Sequence, residues 1–404
     1  MSTQPPADLS ARLRLSDFST STVVAGLIAI VVGFSGPVAI IFTAASAGHL
    51  TAGQTSSWLL AASVGSGVVG IALTLWTRMP VVIAWSTPGA ALLVTSIGAH
   101  PFSDMVGAYV ICAVAMIAIA ISGAFDAVMA RIPMPVVMGM LAGILLEFVV
   151  GAFGAVRSAP AVALSVIVVY FVVQRLSARW AVPAALLAGL VVSLSTGSVR
   201  GAGVAVSFAR AELTLPTFSP GAFFGVALPL FVVTLTAQNA AGLGVLRSFG
   251  YPARARNLVT ATGVGSLVGA FFGSHAINLA AITAALCAGP SAHPDPRRRW
   301  TAALTTGVAY LVVGILGGTL VALFAGLAVA LIAAVAGVAL LPTFSSSLTS
   351  AVHDADHRPA ALVCFAVTAS GISVVGVGAA CWGLLAGLLV TGIDSGMGEI
   401  RRRR

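Results

Sequence analysis

Apolar runs of about twenty residues follow one another along almost the whole chain, and arginines fall almost only between them. A run of that length is what a bilayer asks of an α-helix rising about 1.5 Å per residue. The runs do not alternate at period two, as barrel strands of ~10 residues would. The chain is therefore expected to be an all-α polytopic membrane protein. Composition agrees. Of 404 residues, 59% are hydrophobic and 8% charged, with mean hydropathy +1.07, whereas a soluble domain carries about 25% charged residues.

About fourteen segments are expected, at 22–46, 56–77, 81–98, 103–125, 135–154, 160–175, 182–198, 222–245, 257–272, 276–289, 301–322, 326–345, 359–374 and 377–394. Residues 1–20 are polar, and the first apolar run is too long for the core of a cleavable leader. All 20 basic residues are arginine. With the N-terminus inside, seventeen of them lie on the cytoplasmic side: Arg12, Arg14, Arg78, Arg131, Arg175, Arg179, Arg247, Arg254, Arg256, Arg297 to Arg299, Arg358 and Arg401 to Arg404. Arg157, Arg200 and Arg210 lie outside. That asymmetry places both termini in the cytoplasm of an inner-membrane protein. It also explains the net charge of +9 without nucleic acid, since no soluble basic domain exists to hold one.

The polar stretch Gly197 to Ser219 divides the chain into two halves of seven segments. Halves with an odd number of crossings lie in opposite orientations, the arrangement of inverted-repeat transporters. Matching positions carry matching interruptions. The first segment of each half has a polar break, Phe34-Ser35-Gly36-Pro37 and Thr236-Ala237-Gln238-Asn239. The third of each half is short and opens on small or polar residues, Trp85-Ser86-Thr87-Pro88-Gly89 and Gly273-Ser274-His275-Ala276-Ile277-Asn278. Such pairs point to a transporter's binding site.

These interruptions supply the candidate residues. Ser86 and Thr87 offer hydroxyls at a helix start, where the helix dipole favours an anion. Pro37 either opens carbonyls onto a cavity or simply kinks a packed helix. Side-chain amides are costly in hydrocarbon unless partnered. Gln238 and Asn239 therefore either meet substrate or tie helices together, and adjacent residues point about 100° apart, so one can do each. Asn278 and His275 share a face if the helix already includes both. His275 is a candidate for substrate or proton, and otherwise a cap for a carbonyl. Phe34 and Trp85 line an apolar pocket or serve packing. Glu147, a carboxylate well inside a segment, is a second proton candidate, and otherwise a paired or protonated acid near the outer end.

Several functions are excluded. No GxxxxGK[ST] loop and no lysine occur, so the chain does not drive transport with ATP. No HExxH motif or serine–histidine pair stands out, so an enzyme is not expected. Cys112, Cys287, Cys364 and Cys381 lie in apolar runs at spacings that match no metal site, so neither metal nor cofactor is expected.

Three stretches carry a resemblance: AWSTPGAALL (84–93), PLFVVTLTAQNAAGLGVLRSFGY (229–251) and INLAAITAALCAGPSAHPDPRRRW (277–300). They resemble the BenE family of benzoate membrane transport proteins, which are benzoate:proton symporters, and the likeness runs over nearly the whole chain. It implies the fold shared with nucleobase and sulfate-type permeases, with fourteen segments in two inverted repeats. Core domain parts would be 21–132 and 221–324, and gate domain parts 133–199 and 325–395. A lead (1–20), an extracytoplasmic linker (200–220) and a basic tail (396–404) complete the chain. Members of this fold are often homodimers through the gate domain. The proton-coupled nucleobase members use carboxylates on the eighth and tenth segments. Here those places hold Gln238, Asn239, His275 and Asn278, so a nucleobase substrate is disfavoured and the proton carrier stays open between Glu147, His275 and the substrate itself.

The expected function is secondary transport of benzoate or a similar aromatic carboxylate with a proton. Its substrate would be held by Phe34, Ser35, Ser86, Thr87, Gln238, Asn239, His275 and Asn278. The alternatives are another substrate on the same fold, a nucleobase or inorganic anion, and a channel-like anion conductor.

Overall fold

Ser19 and Thr51 open the first two long helices as capping boxes. Each hydroxyl accepts the N–H three residues on, and each cap N–H donates back to the Thr22 or Gln54 side chain. In this computed structural model, residues 17–198 and 206–402 are described, with side chains as far as 393. Most of the lead (Arg12 and Arg14 included), Arg200, and the side chains of Asp394 and Arg401 to Arg404 lie outside the described residues.

Helix α1 (Thr20–Ser35) stops at Gly36, and α2 (Pro37–Ala47) restarts on a proline that has no N–H to donate. After α3 (Ala52–Thr77) the chain becomes extended as β1 (Ile83–Trp85) and re-enters a helix as α4 (Thr87–Ser96). Next come α5 (Phe102–Ser122), the short α6 (Phe125–Arg131), α7 (Met134–Gly154), α8 (Pro160–Leu176) and α9 (Ala181–Ser195). The second half opens with one 29-residue helical rod, Pro220–Ser248. Its regular parts are α10 (Pro220–Ala222), α11 (Leu228–Val233) and α12 (Ala241–Ser248), joined by π turns at Phe223–Ala227 and Thr234–Ala240. It continues with α13 (Ala255–Ala270), β2 (Ile277–Leu279), α14 (Ile282–Ala288), α15 (Trp300–Ile315), α16 (Gly317–Ala325), α17 (Val329–His353), α18 (Arg358–Ala369) and α19 (Ala379–Arg402).

Among the described residues, seven helices are long and apolar enough to cross a membrane, and a pair bent by 62°, Pro296–Ile315 with Gly317–Ala325, makes an eighth. A helix stands at each of the fourteen expected positions. Two of them cannot cross alone: α4 and α14 have 10 and 7 residues, about 15 and 10 Å of helix. The protein is an all-α polytopic membrane protein with a two-stranded sheet set into its interior.

Two boundaries differ from expectation for physical reasons. Segments read as helical from 81 and from 276 begin extended, because β1 and β2 pair antiparallel and satisfy each other's backbone. His275 and Asn278 therefore share no helix face. Ser345 to Asp356, which the sequence leaves open between an extension of the helix and a loop, extends it as far as His353. No glycine or proline interrupts Ser345 to His353, and the Ser346 and Thr349 hydroxyls bond back to the carbonyls of Thr343 and Ser345.

The helices pack in two groups. In one, α7 lies against α17 and α18, α18 against α19, and α8 against α9. In the other, α3 lies against α15, α5 against α13, and α1 against α14 and α15. Helices α2 and α4 touch both, through α17 and α7. The buried rings of Trp58, Trp85, Tyr109 and Tyr310 all belong to the second group, on α3, β1, α5 and α15. Outward faces are apolar, with Leu164, Val168 and Phe171 on α8 and Leu187, Val191 and Leu194 on α9. Such surface is stable against lipid, where no water need be ordered around it.

Candidate functional site

The sheet sets the geometry. Ile83 pairs with Leu279, Ala84 with Asn278 and Trp85 with Ile277. Two further bonds extend the ladder, Ser86 N–H to Ala276 O and Ala280 N–H to Val82 O, each 3.0 Å. Helix α4 thus starts beside the beginning of β2, and α14 starts beside the beginning of β1. The two helix starts are separated by the length of the paired strands, about 10 Å.

Strand β2 is held from three sides. Ser266 Oγ accepts the Ile277 N–H at 2.9 Å and donates to the Ile277 carbonyl at 3.0 Å. Asn239 Oδ1 accepts the Leu279 N–H at 3.1 Å, while its nitrogen donates to Thr234 O at 3.2 Å. His275, just before the strand, accepts the Trp58 Nε1–H on Nδ1 at 3.0 Å and meets Ser86 O with Nε2 at 2.8 Å. An indole N–H can only donate and a carbonyl can only accept. The ring is therefore the neutral tautomer with its proton on Nε2, and both nitrogens are engaged.

Gln238 is oriented by the same logic. Asn278 Nδ2 donates to Leu279 O at 3.0 Å, which fixes that atom as nitrogen. The same nitrogen donates to Gln238 at 3.1 Å, so Gln238 presents its oxygen there. Its own Nε2 makes no hydrogen bond among the described residues. Gln238 and Asn239 lie in the π turn Thr234–Ala240, a winding that recurs at functional sites. The close approach of this rod to β2 requires Gly242, where a Cβ would lie 2.5 Å from the Leu279 Cβ.

Gln238 borders a cavity of about 550 Å³ between the two packing groups. Its walls are Pro88 of α4, Met134 to Leu141 of α7, Thr236 to Ala241 of the rod, and Thr343 to Asp354 at the end of α17. Of the eight candidate substrate residues, Gln238 lines this space. Thr87 adjoins it through Pro88, half-buried and without a hydrogen bond of its own among the described residues. Asn239 and Asn278 stand behind Gln238. Ser86 and His275 are bonded to each other, and the Ser86 hydroxyl accepts the Gly89 N–H as the α4 cap. Phe34 lies at the α1–α2 break, its ring edge-on to Trp85 at 5.2 Å, and the neighbouring Ser35 hydroxyl is buried without a partner among the described residues. At the rim, His357 donates to Asp354 at 2.8 Å. That hydrogen bond, first among the causes, holds the Asp354 carboxyl below its ordinary value.

Glu147 lies elsewhere. It borders a separate cavity of about 110 Å³ with Ser96 at the end of α4, His100 beyond it, Thr368 of α18 and Gly376 of the following loop. There His100 Nε2 donates to Gly376 O at 3.1 Å, tying the far end of α4 to the α18–α19 loop.

Two features escaped the sequence reading. Trp58 as the partner of His275 has no local signal. The α17 face does: Thr343, Ser346, Ser347, Ser350 and His353 recur at three- and four-residue steps, a polar stripe readable once the helix is continued past 345.

The model of the benzoate membrane transport protein family (BenE) matches residues 16–393. The chain belongs to that family. The BenE relatives include a benzoate membrane transport protein of Acinetobacter baylyi, 36% identical over 92% of this chain and 95% of that one. Inner membrane protein YdcO of Escherichia coli is 39% identical over 93% and 96%. Among solved structures, the transmembrane domain of the cyanobacterial bicarbonate transporter BicA aligns with TM-score 0.58 at 14% identity, over 95% of this chain and 97% of that one. The murine anion transporter Slc26a9 in its inward-facing state aligns with TM-score 0.62 at 14% identity, over 96% and 70%. This BenE chain thus has the fold of those transporters and is itself a membrane transporter, not an enzyme.

Proposed function

We propose that this transporter carries benzoate or a similar aromatic carboxylate, in symport with a proton, by moving a core domain (21–132 and 221–324) against a gate domain (133–199 and 325–395). The observation that carries the reading is the 550 Å³ cavity at the junction of the two packing groups. It brings an unengaged amide N–H of Gln238 next to the start of α4. A helix start and neutral donors stabilise an anion without a buried cation, and no arginine lines this cavity. Pro88, Met138, Leu141 and Ala237 supply apolar surface for a ring.

The cavity lining runs from Met134, where α7 starts, to Asp354, just past the end of α17. Arg131 and Arg358 flank these two ends in the chain, and their charge supports a cytoplasmic side for this face and an inward-open reading of the state. The His100–Gly376 bond closes the opposite end. The two half-crossing elements, β1–α4 and β2–α14, are the counterparts that an inverted repeat requires. A homodimer would form through the outward apolar faces of α8 and α9. With both nitrogens of His275 engaged, the proton falls to Glu147 or to the substrate carboxylate.

Radiolabelled benzoate uptake into proteoliposomes tests the reading. Saturable uptake that rises with an inward proton gradient and collapses with a protonophore is expected. Uptake indifferent to the gradient removes proton coupling. Competition by bicarbonate or sulfate but not by benzoates reassigns the substrate to inorganic anions.

A further inference from the structure

The wall of the larger cavity contributed by α17 differs in chemistry from the rest. Residues 134–141 of α7 and the alanines of the rod offer it apolar atoms, whereas α17 offers Thr343, Ser346, Ser347 and Ser350. Three of these hydroxyls are unexceptional. Thr343 is half-buried, Ser346 bonds back to the Thr343 carbonyl, and Ser350 is exposed to the cavity mouth. Ser347 is different. It is 2% exposed, yet it borders the cavity and its hydroxyl makes no hydrogen bond among the described residues. Its oxygen is therefore open to the cavity, where a ligand can meet it, whereas a serine on a helix most often bonds the carbonyl a turn earlier. Ser347 forgoes that bond while its neighbours Ser346 and Thr349 both make it.

The space also exceeds what an unsubstituted ring needs. A small apolar acid held by Gln238 at the α4 start would offer the Ser347 hydroxyl no partner. A ring that bears its own polar group would satisfy it.

We propose that Ser347 is a specificity residue, and that the preferred substrates are aromatic carboxylates carrying a hydroxyl or amino group on the ring. Their carboxylate meets Gln238, their ring meets the α7 side chains, and their ring substituent exchanges a hydrogen bond with Ser347. This rests on the carboxylate-transport reading and narrows its substrate class. It also makes the ligand a bridge between the two packing groups, since the rod carrying Gln238 packs on α5 and α14 of one and Ser347 lies on α17 of the other.

The test is a binding series on the purified protein with benzoate and its 2-, 3- and 4-hydroxy derivatives. At least one hydroxybenzoate should bind about tenfold more tightly than benzoate, the value of one well-placed hydrogen bond. Ser347→Ala should erase that preference with benzoate affinity unchanged, and Ser347→Thr, which keeps the hydroxyl, should restore it. Equal affinity for all four acids in the parent protein overturns the inference and leaves the carboxylate reading intact. A preference that survives Ser347→Ala overturns it too. Binding of none of the four overturns the carboxylate reading itself, and the inference with it.

Discussion

Asn278 donates to Gln238 across 3.1 Å, and the same nitrogen is held on its other side by the Leu279 carbonyl. The pair engages the Gln238 oxygen and leaves its nitrogen without a protein partner among the described residues, on a side chain that lines the cavity. Gln238→Ala should therefore weaken benzoate binding roughly tenfold or more, the range for a hydrogen bond to a charged group. Its melting temperature should barely move. Gln238→Glu should bind still less, since it sets an anion against an anion. Calorimetry with the three proteins checks both statements, and unchanged affinity in Gln238→Ala would refute the site.

Asn239 should behave in the opposite way. It is fully buried and its two bonds hold Thr234 O and Leu279 N–H. Truncation leaves two buried backbone groups unpaired, at about 1–3 kcal/mol each. Asn239→Ala should melt well below the parent, while any protein that remains folded binds substrate with a modest loss. A melt equal to that of Gln238→Ala would contradict this division of labour.

His275→Ala should be destabilised for a similar reason, since Trp58 Nε1–H loses its partner and Ser86 O keeps only the Ala90 N–H. His275→Gln can accept from one and donate to the other, so it should recover most of the stability. Neither change should abolish proton coupling. Glu147→Gln should, with benzoate exchange persisting while gradient-driven accumulation is lost. Accumulation that survives in Glu147→Gln would assign the proton to the substrate carboxylate.

His100 ties the far end of α4 to the α18–α19 loop, away from the large cavity. Its ring sits among glycines, and a Cβ on Gly221 would fall 2.7 Å from the His100 Cε1. His100→Ala or Gly221→Val should loosen that end. A cysteine placed at Ser96, in a background free of the four native cysteines, should then react with a soluble thiol reagent about fivefold faster, the weight of one hydrogen bond. Identical labelling rates would show that this bond does not hold the end shut.

Asp354 borders the larger cavity, where it would meet the anion proposed to enter it. Its carboxyl is held below the ordinary 3.8 by the His357 hydrogen bond. The bond therefore favours the ionised form. Its contribution is complete above the unfolded value and is lost only as pH falls through the lower, folded one. Asp354 stays anionic throughout pH 5–8, so Asp354→Asn should improve apparent benzoate affinity by about twofold across that whole window. The gain should shrink in high salt, as expected of an exposed charge.

The membrane fold was legible because its causes are local. Apolar length, prolines at helix starts such as Pro37 and Pro160, and arginines at loops such as Arg131 and Arg358 act over a few residues. Both weak helix starts, at Trp85-Ser86 and Ala276-Ile277, were visible as polar interruptions. Their extended conformation was not, because it arises from pairing between strands nearly two hundred residues apart. The part played by His275 likewise depends on Trp58, 217 residues earlier. The sequence showed that Gln238 and Asn239 point different ways but not which of them faces the cavity, since that is decided by the Leu279 N–H and the Asn278 amide. Ser347 was passed over for a simpler reason: hydroxyls near a helix end look like solvent-facing residues until the helix is seen to continue.

The π turn at Thr234–Ala240 holds the chain one residue fuller than a regular helix would. Deleting one residue, for instance Ala237, would let the turn tighten to ordinary winding with its flanks kept nearly in register, because the looser turn already absorbs the extra residue. Gly242 would still face Leu279, while Gln238 and Asn239 would lose their present places against β2. Among natural relatives, a single-residue gap at this point would mark a transporter with a different ligand.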